Sequence, residues 1–195
     1  QSVCEEISNS LSHQPLIISI AAGISIDSIH SWLGNDLPII RCMPNTPSQV
    51  LKGASGLIEN KQVSDAQKQA ASELFAAIGI VEWVKDESQI HAVTALSGSG
   101  PAYILMIIEA LSDAGVKVGL SRETSNKLTM QTVLGTAKLV RDSAKHPGEL
   151  KDMVTSPGGT TISGLHMLEE GGIRNALMNA VEMATQRSKE LGKNK

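Results

Sequence analysis

The segment Lys151-Asp152-Met153-Val154-Thr155-Ser156-Pro157-Gly158-Gly159-Thr160-Thr161 gathers the residue types from which an anion site is built. Adjacent glycines let a backbone turn its N–H groups towards one point. A helix starting there adds the partial positive charge of its N-terminus. The spacing is not Gly-x-x-x-x-Gly-Lys-Ser/Thr, and no lysine follows the glycines, so a carboxylate suits the segment better than a triphosphate. The same residues would also make a plain loop with a threonine helix cap. The segment alone leaves both readings open.

Two further stretches suit a ligand face. Ala21-Ala22-Gly23 follows a β-branched run, at the strand end where open α/β sheets bind ligands. Asn45-Thr46 follows a second apolar run and lies between Pro44 and Pro47, which stiffen the backbone. Each also reads as a simple strand-to-helix turn. Ser97-Gly98-Ser99-Gly100-Pro101 reads as a small-residue loop with proline opening the next helix, either for close packing or for ligand contact. Glu109 interrupts an apolar helix, where a structural carboxylate is the safer reading than a catalytic acid.

Composition narrows the classes. The chain has 195 residues, 41% hydrophobic and 19% charged, enough apolar material for one domain or two small ones. A net charge of −3 and sparse aromatics give neither a basic stripe nor a stacking ladder, so nucleic acid is not expected as a partner. Cys4 and Cys42 stand far apart as reduced thiols, and the five histidines show no ligand spacing, so no metal is expected. The longest uninterrupted apolar stretch, 102–108, is far shorter than the roughly 20 residues a bilayer requires. No secretory signal opens the chain. A soluble protein of a reducing compartment, most simply the cytoplasm, is expected.

These residues need elements to hold them. Strands are expected at 16–20, 38–43, 56–58 and 80–84, with helices capped by Ser25 and by the Ser64-x-x-Gln67 box between them. That rhythm predicts an α/β layer that is part of a larger sheet. Beyond a boundary near 86–96 the pattern is all-helical: 102–114, apolar nearly all round and so expected to be buried centrally, a helix capped by Ser121, and helices near 161–170 and 173–191. Met130, Val133, Leu134, Ala137 and Val140 form the apolar stripe of the Ser121-capped helix. This half is rich in Ala, Gly, Ser and Met, which bury little area per helix, so it is expected to complete its core by pairing with a second chain.

Ser19-Ile20-Ala21-Ala22-Gly23, Arg41-Cys42-Met43-Pro44-Asn45-Thr46-Pro47, Leu96-Ser97-Gly98-Ser99-Gly100-Pro101-Ala102-Tyr103, His146-Pro147-Gly148 and 152–161 occur in that order. Together they resemble the signature run of the pyrroline-5-carboxylate reductases over essentially the whole chain. The resemblance implies the C-terminal part of a Rossmann-type cofactor-binding domain (1–90) followed by an all-helical substrate-binding and dimerisation domain (91–195). It implies reduction of 1-pyrroline-5-carboxylate to L-proline by hydride transfer from NADPH or NADH, in a homodimer or higher homo-oligomer. Ser156, Gly158, Gly159 and Thr160 would hold the substrate carboxylate, and Thr161 would orient the ring nitrogen as the catalytic group. Glu87 would face the substrate. Ile20, Ala21, Ala22, Met43, Pro44 and Asn45 would line the nicotinamide end of the cofactor.

The family's opening strand and Gly-x-Gly-x-x-Gly-like turn find no counterpart here. Gln1 to His13 reads as a helix from within the Rossmann unit, and the pyrophosphate-binding segment is expected to lie outside this chain. Two rivals follow: a related imine or hydroxy-acid reductase, and a fragment that dimerises without catalysing.

Overall fold

The computed structural model describes residues 1–34 and 36–193. Helix α1 (Ser2–Ile7) and a short 3-10 turn (Ser8–Ser10) lead to β1 (Ile17–Ser19), α2 (Ile26–Leu33), β2 (Ile39–Met43), a 3-10 turn (Thr46–Val50), β3 (Gly53–Glu59), α3 (Asp65–Ala76) and β4 (Gly79–Trp83). The strands form one sheet in sequence order, with β1 parallel to β2, β2 antiparallel to β3, and β3 parallel to β4. Local sequence explains the helix starts. Ser25 Oγ accepts from Ser28 N, and Ser64 and Gln67 complete a reciprocal capping box.

β2 organises the core because its alternate side chains point to opposite faces. Ile39 joins Ile24, Ile26, Ile29, Leu33 and Leu37 beneath α2. Ile40 and Cys42 join Leu57, Ala71 and Phe75 beneath α3. Arg41 therefore points to the same side as Ile39, a charged side chain only 3% exposed. At the other edge, a Cβ on Gly79 would come within 2.0 Å of Gly53 O, so only glycine permits the β3–β4 approach.

The chain continues through α4 (Gln89–Val93), a π turn (Thr94–Gly98), α5 (Gly100–Lys117), α6 (Arg122–Ser143), α7 (Pro147–Met153), α8 (Thr160–Glu170) and α9 (Ile173–Lys193). The expected loop at 97–101 is thus helical. The small residues permit a wider π turn, closed by Ser99 N donating to Thr94 O at 2.8 Å. Short α7 went unrecognised because His146-Pro147-Gly148 reads as a breaker. In the structure His146 caps the helix, its Nδ1 accepting from Gly148 N, and Pro147 opens it.

Two compact units result: Gln1–Pro101 with Asn179–Lys195, and Ala102–Met178. Residues 89–96 pack with the first unit, where Ile90 and Ala95 are fully buried and a Cβ on Gly56 would meet Val93. The end of α9 also belongs to that unit.

The second unit corrects one expectation outright. α5 is not buried: Ile104, Leu105, Met106 and Leu111 are exposed, as are Met130 and Leu134 on the α6 stripe. The faces turned inward carry Ser112, Ser125 and Thr129, with Ser125 Oγ donating to Ser112 O at 2.6 Å. Among the described residues, Leu150 is the one buried hydrophobic residue of this unit. The helical run Gln89–Lys117 is also long and apolar enough, by length and composition, to cross a bilayer, which the 102–108 stretch alone did not suggest. It carries Glu109 and Asp113, with Glu109 exposed.

Candidate active site

The loop before α8 turns through a left-handed glycine into the head of the helix. Gly158 adopts φ +67°, a left-handed conformation that glycine alone reaches without strain. Gly159 is the helix N-cap, and no side chain caps α8. The threonine cap of the alternative reading is therefore absent, and the N–H groups of the first turn stay unmet by any capping oxygen. Ser156 Oγ lies so close to Gly159 that a Cβ there would sit 2.3 Å from it. Gly159 N donates to Ser156 O at 3.1 Å, which folds the loop back under the helix head. Ser156, Gly158 and Thr160 are exposed, while Gly159 and Thr161 are half-buried. Lys151, Asp152 and Met153 form the last turn of α7, so the loop between α7 and α8 is shorter than the sequence segment and runs from Val154 to Gly159.

In the first unit, β1 and β2 run parallel with Ser19 opposite Arg41, so the two turns that follow them lie side by side. One turn carries Ile20, Ala21 and Ala22, all exposed, before Gly23 at φ +75°. The other carries Met43, Pro44 and Asn45, all half-buried. An exposed aliphatic residue, two alanines and a proline-stiffened turn leave room for a flat ring against backbone. An aliphatic, backbone-rich surface is the kind against which a flat ring packs.

The Asn45 side chain is committed elsewhere. Pro101 has no N–H, so the carbonyl of Ser97 lacks its helical partner. Asn45 Nδ2 supplies the missing donor at 3.0 Å, while Asn45 Oδ1 accepts from Ala54 N at 2.8 Å. The turn thus offers backbone to a ligand, and the amide holds the π turn onto β3. Neighbouring Cys42 is no nucleophile, since burial pushes its thiol up to about 12 against an opposing hydrogen bond from Ser55.

Glu87 is also engaged within the first unit. Its Oε1 accepts from Ile26 N at 2.8 Å, at the start of α2, and from Arg41 Nη1 at 2.9 Å. His91 lies beside this pair, its Nδ1 2.9 Å from Ser188 Oγ on α9. Burial first, then the Arg41 and Lys189 charges, hold the imidazole below its ordinary value near 6.5, against an upward pull from Glu87. The sequence reading missed this group. Its one visible signal was an arginine inside an otherwise apolar strand.

A partial Rossmann-type sheet with open strand ends, followed in the chain by an all-helical unit, is the architecture of a two-part dinucleotide-binding protein. The family description "Pyrroline-5-carboxylate reductase dimerisation" matches residues 87–191. A pyrroline-5-carboxylate reductase of Pseudomonas aeruginosa is 48% identical over 191 residues, covering 98% of this chain and 70% of that protein. One from Methanosarcina acetivorans is 48% identical, covering 98% and 71%. The solved Coxiella burnetii pyrroline-5-carboxylate reductase superposes with a TM-score of 0.92 at 46% identity, covering 97% of this chain and 71% of that one. The Plasmodium falciparum pyrroline carboxylate reductase, solved with NADP bound, gives 0.92 at 41%, covering 98% and 76%. This chain belongs to the pyrroline-5-carboxylate reductase family.

Proposed function

We propose that the chain reduces 1-pyrroline-5-carboxylate to L-proline with NADPH or NADH, as a homodimer or higher homo-oligomer. The carrying observation is the uncapped head of α8, formed by Ser156-Pro157-Gly158-Gly159-Thr160-Thr161, in a chain 48% identical to relatives bearing that name. The N–H groups of this turn and the Ser156 hydroxyl receive the substrate carboxylate. Thr161, one turn position further on, orients the ring nitrogen. Ile20, Ala21, Ala22 and the Met43–Asn45 backbone hold the nicotinamide, which supplies the hydride when bound. A protonated cyclic imine already accepts hydride readily, so these residues contribute mainly by positioning. Glu87 acts through Arg41 and the start of α2, and thereby fixes the turn that follows β1. Residues 91–195 supply the substrate-binding and dimerisation part.

The test is NADPH oxidation, followed by absorbance, with pyrroline-5-carboxylate and the full-length protein. Thr161→Ala is expected to lower kcat by roughly ten- to a hundredfold with fold and assembly unchanged, the scale of a misplaced reactant. Wild-type activity in that variant would remove Thr161 from the site. A folded, assembled protein with no activity on this substrate would favour the non-catalytic dimerising module.

A further inference from the structure

The Arg41 constellation contains more positive charge than its internal pairing uses. Arg41, His91, Lys189, Ser25, Ser88, Gly23 and Gly192 line a cavity of about 310 Å³ within the first unit. Arg41 is 3% exposed, yet among the described residues it finds one acceptor, Glu87 Oε1 at 2.9 Å. A guanidinium carries five N–H donors in a planar fork, so most of this one remains unspent. Glu87 is further divided, since the same oxygen also accepts from Ile26 N. Lys189 adds a second cation from α9, and the His91 ring forms part of the wall.

The cavity is built rather than incidental. Its back wall is a close backbone approach, where a Cβ on Gly192 would lie 3.0 Å from Gly23 O. His91 is held by Ser188, which is itself buried. A buried arginine whose unused donors line a cavity alongside a lysine is the arrangement that recognises an oxyanion, because charge-assisted N–H···O bonds to carboxylate or phosphate are the strongest available to it. A fully solvated surface arginine would have no such preference.

We propose that this cavity is a binding subsite for a small oxyanion, a phosphate or carboxylate group held by Arg41 and Lys189 with His91 as a third, proton-dependent donor. None of these three residues is among those assigned to cofactor or substrate. The groups facing His91 are Arg41 from β2, Glu87 from the segment before α4, and Ser188 and Lys189 from α9. Burial first, and then the Arg41 and Lys189 charges, disfavour the protonated ring, and a bound oxyanion would offset those charges, so binding and protonation of His91 reinforce one another.

The probes are inorganic phosphate and acetate, titrated into the full chain at constant ionic strength with chloride as balancing salt. The His91 ring resonances are followed by NMR. A saturable shift is expected, with an apparent Kd on the order of 1 mM. Saturation by phosphate alone would identify a tetrahedral phosphate-type ligand, and saturation by acetate as well would extend the subsite to carboxylates. Acetate affinity should rise as pH falls below His91's ordinary value near 6.5, down to about pH 5.5, where acetate keeps most of its charge and the ring begins to gain one. Lys189→Gln, on the exposed side of α9, should weaken binding about tenfold, the loss of one charge-assisted contact. The proposal is overturned if neither anion shifts His91 more than chloride does, or if Lys189→Gln leaves the titration unchanged.

Discussion

Two polar side chains near the strand ends, Cys42 and Asn45, are occupied by structure. Cys42 lies 1% exposed beneath α3, and its thiol is pushed up to about 12 by burial. Since the thiolate is the nucleophile, folded protein should leave Cys42 unmodified by iodoacetamide at neutral pH while half-buried Cys4 reacts first. Peptide mass mapping reads the order directly, and equal labelling would contradict it. Asn45 invites a cofactor role from its place after β2, yet both ends of its amide serve the fold. Asn45→Ala leaves Ser97 O and Ala54 N without these partners and should cost about 2 kcal/mol in urea unfolding. Asn45→Asp, which retains the acceptor for Ala54 N, should recover part of that loss.

Elements show where sequence is informative and where it is silent. The capping box before α3 and the serine before α2 were legible because a cap is a short-range chemical pattern. The strands were legible from their β-branched runs. Helix continuity through 97–101 was not, because glycine, serine and proline mark a loop in isolation. Only the Asn45 bond to Ser97, a contact 52 positions apart in sequence, explains how a helix tolerates them. The docking of the α9 end on the first unit was invisible for the same reason, as it rests on His91–Ser188 and the Gly23–Gly192 approach. That docking should depend on pH. The folded state holds His91 below its ordinary value near 6.5, so the neutral ring is the form it favours. Stability from this contact is full above that value and is lost as pH falls through it towards the depressed folded value, because the unfolded chain then binds more protons. Amide protection factors in the last turns of α9, corrected for the intrinsic exchange rate, should therefore fall as pH drops below about 6.5, and His91→Gln should flatten the dependence.

At the scale of the whole molecule, the two units are built on opposite principles. The first has two ordinary hydrophobic clusters on either side of β2. The second turns serine and threonine inward and presents Leu105, Met106, Met130 and Leu134 outward. Composition anticipated only that this unit buries little apolar area, since small residues allow helices to approach closely but bury little. The direction in which the apolar side chains face was not in the sequence, because the 3.6 period identifies a stripe and not what it meets. The match of residues 87–191 to a dimerisation family supplies the occupant, a second copy of the chain. Leu134→Asp places a charge on the α6 stripe and should shift the assembly towards monomer in light scattering, with the first unit's helix and sheet signal preserved. An unchanged mass would move the pairing surface off α6.

The lone buried leucine of the second unit has a consequence for how this protein survives dilution. A unit that meets its apolar requirement in another molecule has no fixed melting point of its own. Its thermal endpoint follows mass action and climbs with the amount of protein present. Scarce chains are the fragile ones, and a chain damaged in its helices carries that damage into whichever sound copy it joins.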